Sequence, residues 1–189
     1  MAVTILDTPC PVCGEKKLEY RVERLDIPHF GETLQTTLMC QGCDYKTTDT
    51  LIVSQKEPTR YEIFVDSEDD MMVRVIRSTS GTIKFPDLGI TVEPTPLSES
   101  FISNVEGVLN RVKDVLMQAI DGADTESQKL LGKRLAETIE LVRNGKQPTT
   151  FILDDPFGNS AIVSEKVKKR LLTEEEVREL KIGMFVLEK

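Results

Sequence analysis

Apolar and polar residues alternate along 18–25 (Leu-Glu-Tyr-Arg-Val-Glu-Arg-Leu) and largely again along 33–38, the period of a half-buried strand. Between them, Ile27-Pro28-His29-Phe30-Gly31 reads as the turn of a hairpin. Two more strand pairs follow: 61–65 with 71–77 around the acidic turn Ser67-Glu-Asp-Asp70, and 81–85 with 89–92 around Pro86-Asp87-Leu88. From Phe101 the period lengthens. Val105, Val108, Leu109, Val112, Val115, Leu116, Ala119 and Ile120 trace one face of a helix with Ser98 or Ser100 as its N-cap. Asp121-Gly122 stops it. A second helix carrying Leu131, Leu135, Ile139 and Val142 runs to Asn144-Gly145, which predicts a helical hairpin at about 98–146.

Strands resume at 150–153 and 160–163 around Asp154-Asp-Pro-Phe-Gly-Asn159. Thr173-Glu-Glu-Glu176 has the form of a capping box for a short helix, and 184–187 reads as a last strand. The polar, proline-containing stretch 54–59 reads as a linker. The predicted organisation is a first domain at 1–57 and a second at 58–189, mainly β with an α insertion.

All four cysteines lie in the first domain, as Cys10-Pro-Val-Cys13-Gly14 and Cys40-Gln-Gly-Cys43-Asp44. Each C-x-x-C offers two sulfurs from one tight knuckle, and two knuckles complete a tetrahedral zinc site with four thiolates. Two disulfides would need an oxidising compartment, whereas the first residues have neither the basic nor the apolar segment of a secretory signal. One structural zinc held by Cys10, Cys13, Cys40 and Cys43 is therefore expected, in a zinc ribbon with an extended hairpin. Four protein ligands close the coordination sphere and leave no position for a catalytic water.

Composition narrows the chemistry. The 189 residues include 24 Lys+Arg against 32 Asp+Glu, a net charge of -8, which disfavours sequence-blind binding to phosphate backbones. The basic run Lys166-Val-Lys-Lys-Arg170, with Lys16-Lys17, is the local basis for nucleic-acid binding, which stands as the alternative reading. A single histidine cannot build a two-histidine iron site, and no phosphate-loop, dinucleotide or nucleophile-elbow motif is present, so an enzyme is not expected. No apolar run reaches the roughly 20 residues of a membrane span, and a cytoplasmic location is expected. In Asp154-Asp155, neighbouring side chains on a strand point to opposite faces, which suits turn-shaping by Asp155 and Asn159 better than paired acid and base work. Phe157, at the tip of that turn, is a candidate partner contact.

Taken in order, several segments resemble the ZPR-type zinc-finger protein family: the two knuckles, Ile27-Pro-His-Phe30, Phe85-Pro-Asp-Leu88-Gly89, Val105-Glu-Gly107 and Leu153-Asp-Asp-Pro-Phe-Gly-Asn-Ser160. The resemblance implies a four-cysteine zinc ribbon followed by a double-stranded β-helix carrying an inserted helical hairpin. Eukaryotic members have two such modules in tandem; this chain resembles the single-module archaeal form. The resemblance also implies a binding or chaperone role toward a translation elongation factor 1-alpha-type GTPase. Phe30, Asp155, Phe157 and Asn159 are the partner-binding candidates.

Overall fold

A computed structural model describes residues 2–28, 31–53, 56–95 and 98–181. The chain divides into two compact units, Met1–Gln55 and Lys56–Lys189.

The first unit is a four-stranded antiparallel sheet of β1 (Ala2–Leu6), β2 (Leu18–Ile27), β3 (Gly31–Cys40) and β4 (Lys46–Ile52), hydrogen-bonded in that order. The alternating segments of the sequence form β2 and β3, each ten residues long. At about 3.4 Å per residue this hairpin extends roughly 30 Å, which accounts for the long spacing between the two cysteine pairs. β1 has no counterpart in the sequence reading. It is short, and its existence depends on pairing with β2 from Ala2↔Val22 to Leu6↔Leu18.

The second unit begins with β5 (Thr59–Val65), β6 (Arg74–Arg77), β7 (Thr82–Phe85), β8 (Ile90–Val92) and β9 (Phe101–Asn104). Two antiparallel helices follow, α1 (Val105–Asp121) and α2 (Glu126–Arg143). The chain then adds β10 (Thr149–Asp155), β11 (Ala161–Val163), β12 (Lys168–Leu171) and α3 (Glu174–Glu179). The strands form a five-stranded sheet, β12-β5-β10-β7-β8, and a three-stranded sheet, β11-β6-β9, every pairing antiparallel. One core joins both sheets to the helices. Ile63, Phe85, Phe151 and Leu153 enter it from the larger sheet, Val75 and Ile162 from the smaller, and Val108, Leu109 and Ile139 from α1 and α2. Phe85 and Phe151 stack with ring centroids 4.9 Å apart.

Three local expectations are corrected. The segments 61–65 and 71–77 do not pair with each other: β5 pairs with β10 and β12, and β6 with β9 and β11 in the other sheet. Residues 101–104 form β9 rather than the first helical turn, because they pair with β6 from Arg77↔Phe101 to Arg74↔Asn104. The helix N-cap is accordingly Asn104, whose side chain accepts the Gly107 N–H at 2.8 Å, rather than Ser98 or Ser100. Residues 69–72 make a 3₁₀ turn, so β6 starts at Arg74 and not at Met71. The cause is Asp70, which folds inward. The capping box at Thr173 and Glu176 is present, and the strand predicted at 184–187 lies outside the described residues. Gly107 has a packing reason: a Cβ there would collide with the Ser103 side chain. Among the described residues no helix is long and apolar enough to cross a membrane.

The inward Asp70 makes a testable contribution. Its carboxylate accepts the Asp66 N–H at 3.2 Å, the Ser67 hydroxyl at 2.7 Å and the Lys166 ammonium at 2.8 Å. Burial alone would raise its pKa; the Lys166 ammonium and these donors more than offset that and hold it at about 2, below the ordinary 3.8. A carboxylate depressed in the folded state stabilises above the unfolded pKa, and the stabilisation fades as pH falls through the folded value. Asp70→Asn is expected to cost about 1 to 2 kcal/mol at neutral pH, moderated by the solvent around Lys166. The difference from wild type should shrink between pH 4 and pH 2 in urea titrations; a constant difference over that interval would count against the assignment.

Candidate functional site

The register of the first sheet assembles the metal site. Leu6↔Leu18 and Leu18↔Cys40 place the β1–β2 connection, with Cys10 and Cys13, at the same sheet end as the β3–β4 connection, with Cys43. The β2–β3 turn is at the opposite end. His29 and Phe30, which fall in that turn, lie outside the described residues.

The four Sγ atoms lie within 4.8 Å of one another, with Cys10 to Cys43 at 3.8 Å and Cys13 to Cys40 at 3.6 Å. A tetrahedron with metal–sulfur bonds of about 2.3 Å has edges near 3.8 Å, so these residues fit one Zn²⁺. The two knuckles repeat one construction. The Val12 N–H donates to Cys10 Sγ at 3.4 Å and the Gly42 N–H to Cys40 Sγ at 3.3 Å, each from two residues downstream. Gly14 closes the first knuckle in a left-handed conformation at φ 75° and donates its N–H to the Cys10 carbonyl. Cys10 and Cys40 are buried, Cys43 is half-buried and Cys13 is exposed.

Electrostatics favour a cation here. Burial raises the Cys10 pKa, but backbone N–H groups of Cys13 and Val12 outweigh it and bring the thiol to about 7. Cys43 is favoured as thiolate by the Tyr45 N–H, yet burial and the other sulfurs push it up to about 12. The cluster thus resists carrying four negative charges by itself. A dication removes that conflict, and because all four ligands come from the protein, its part is to cross-link the knuckles.

The other candidates belong to the loop after β10. Asp154 and Asp155 point to opposite faces and are both fully buried. Asp154 receives Arg60 through Nε at 2.6 Å and Nη2 at 2.8 Å, and Lys84 at 2.9 Å. Asp155 accepts five hydrogen bonds: hydroxyls of Ser78, Ser80 and Ser160 at 2.7, 2.8 and 2.6 Å, and the N–H groups of Phe157 and Asn159 at 2.9 and 3.1 Å. Asn159 is also buried. Asp155 and Asn159 therefore shape the loop from within, and neither carboxylate is set out as an accessible acid–base pair. Phe157 is half-buried, and its carbonyl accepts the Lys56 N–H. Gly158, at φ 64°, lies so close to the Glu57 carbonyl that a Cβ would collide with it. The Ser78, Ser80 and Ser160 hydroxyls were not among the sequence candidates. The signal open to reading is a run of small hydroxyl residues, Ser78-Thr-Ser80, in a tight turn.

Comparison with known proteins gives matches along both units. The ZPR1 zinc-finger domain matches residues 2–54, and the ZPR1 jelly-roll domain matches residues 69–181. An uncharacterized ZPR1-like protein of Pyrococcus horikoshii is 44% identical over 94% of this chain and 82% of its own length. A similar protein of Methanocaldococcus jannaschii is 43% identical over 95% of this chain and 91% of its own. The zinc finger chaperone zpr1 of Schizosaccharomyces pombe is 27% identical over 80% of this chain, which spans only 34% of that longer protein.

Proposed function

Since the chain belongs to the ZPR1 family, we propose that it is a zinc-stabilised protein-interaction module that binds, and assists the folding of, a translation elongation factor 1-alpha-type GTPase in the cytoplasm. The observation that carries this reading is the match of both units, in order, to a family with a member named as a chaperone. The metal site agrees with it, because four cysteine ligands leave a zinc ion no open position for chemistry. Net acidity favours a basic protein surface as partner.

The charge distribution weakens the nucleic-acid alternative. Lys166 is held by Asp70, Arg170 by Glu176 and Lys168 lies 4.0 Å from Glu62, while Lys169 sits 5.5 Å over the Tyr61 ring. Lys16 and Lys17 pair with Asp7 and Glu15. Each cation of the basic run and of the Lys16-Lys17 pair thus has an acidic or aromatic neighbour within the protein, which lowers the local positive potential offered to a phosphate backbone.

Within the loop after β10, Phe157 is the partner-facing candidate, with Asp155 and Asn159 acting through its position; Phe30 is the candidate on the ribbon. The test is capture of a purified elongation factor 1-alpha-type GTPase by the zinc-loaded full chain at low salt, followed by titration. Binding is expected, and Phe157→Ala should weaken it by about 2 kcal/mol, roughly thirtyfold. No capture of the GTPase, alongside retention of an RNA pool with steep salt dependence, would reverse the order of the two readings.

A further inference from the structure

The second unit contains a feature that neither the metal site nor the Asp155 loop uses. An apolar pocket of about 520 Å³ is walled by Ile90 and Val92 of β8, the end strand of the larger sheet, by Val112, Val115 and Leu116 of α1, and by Leu135 of α2. Its volume is that of a small-molecule site.

Two arginines also line it. Arg77, at the end of β6, is only 5% exposed. Its Nε donates to the Gly81 carbonyl at 2.8 Å and its Nη1 reaches the Glu99 carbonyl at 3.5 Å, but its buried Nη2 has no partner. Arg111, on α1, lies with its guanidinium 4.6 Å from the centre of the Phe101 ring, and that of Arg77 lies 5.8 Å from the same centre. Neither arginine forms a salt bridge with a carboxylate among the described residues. Burial lowers the Arg77 pKa and the charge of Arg111 lowers it further, against an opposing pull from Asp155. Two cations thus share one aromatic ring beside an apolar cavity, and the buried one, Arg77, keeps an N–H group without an acceptor.

The geometry points to a binding site for a small amphipathic carboxylate, its single anionic group set against Arg77 and Arg111 and its apolar chain lying along Ile90, Val92, Val112 and Leu116. Glu99, an exposed residue at the same wall, opposes a multiply charged ligand such as a phosphate more than a single carboxylate. This inference is independent of the proposed client, because it concerns a cavity of the second unit and a ligand of different chemistry.

The experiment is calorimetric titration of the zinc-loaded full chain with decanoate and with 1-decanol, both below the concentration at which they aggregate. Saturable 1:1 binding of decanoate is expected, with 1-decanol about tenfold weaker, the size of one charge-assisted hydrogen bond. Arg111→Gln should remove the preference, and its exposed position leaves the core untouched. Arg134→Gln, an exposed change on α2 away from the pocket, should preserve it. Methyl chemical shifts should move at Ile90, Val92 and Val112. The site is overturned by absence of saturable binding, by decanol binding as tightly as decanoate, by a preference that survives Arg111→Gln, or by shift changes confined to another surface.

Discussion

Replacing Cys40 with serine, or removing metal with a strong chelator, is expected to unfold residues 2–53 while the helical signal of the second unit persists. The reason lies in how little else the first unit buries. Among the described residues its buried hydrophobic ones are Cys10, Leu18 and Cys40, with Leu6, Leu38, Cys43 and Tyr45 packed around them, so the metal ligands are themselves most of that core. Elsewhere, apart from the buried Thr33, the described part of the sheet is half-exposed or exposed, and Ile5 is 77% exposed. One fully buried leucine contributes about 2 to 3 kcal/mol, against a backbone ordering cost of about 1 to 2 kcal/mol for every residue. Structural zinc contributes apparent free energies of about 10 to 16 kcal/mol in finger peptides, enough to reverse that balance. Metal analysis should give about one zinc per chain for wild type, and nuclear magnetic resonance should show collapse of the ribbon amides on chelation. Dispersed ribbon amides in the metal-free protein would overturn the claim.

What was readable in advance follows the range of the interactions. The knuckles are local: four residues fix each ligand pair, and spacing alone points to a four-thiolate metal site. The strands that bring the knuckles together, β2 and β3, carry an apolar–polar pattern visible in the chain, so the ribbon and the later helical hairpin could be anticipated. The first helical turn was misplaced because Phe101, Val105, Val108 and Leu109 keep a helical spacing. Pairing of residues 101–104 with β6 decides their state, and no window around them contains that partner. β1 was missed for a similar reason.

The site shows the same division. Asp155 could be read as a turn residue, but its Ser78 and Ser80 partners come from the β6–β7 turn, far away in sequence. The paired state of the basic run was equally hidden, since Lys166 meets Asp70 across the fold. The Arg77, Phe101 and Arg111 arrangement joins β6, β9 and α1, and each residue taken singly reads as ordinary surface or core.

The second large effect is expected at Asp155. Asp155→Ala would leave three hydroxyls and two backbone N–H groups without their acceptor in a site that water does not reach, and should cost about 3 to 5 kcal/mol. Asparagine is the sharper probe, because it preserves shape. Oδ1 accepts the Phe157 N–H and Oδ2 accepts the Asn159 N–H, so either orientation of an amide sets its NH₂ group against a backbone donor. Serine hydroxyls can rotate to accept; backbone N–H groups cannot. Asp155→Asn should therefore retain most of the alanine penalty, about 2 to 3 kcal/mol. Calorimetry should show the transition of the second unit lowered by about 10 °C in the asparagine variant and about 15 °C in the alanine variant, with zinc content still near one per chain. An asparagine variant within about 0.5 kcal/mol of wild type would mean that the loop is held by its turn geometry and the Arg60 and Lys84 contacts to Asp154, and not by the Asp155 carboxylate.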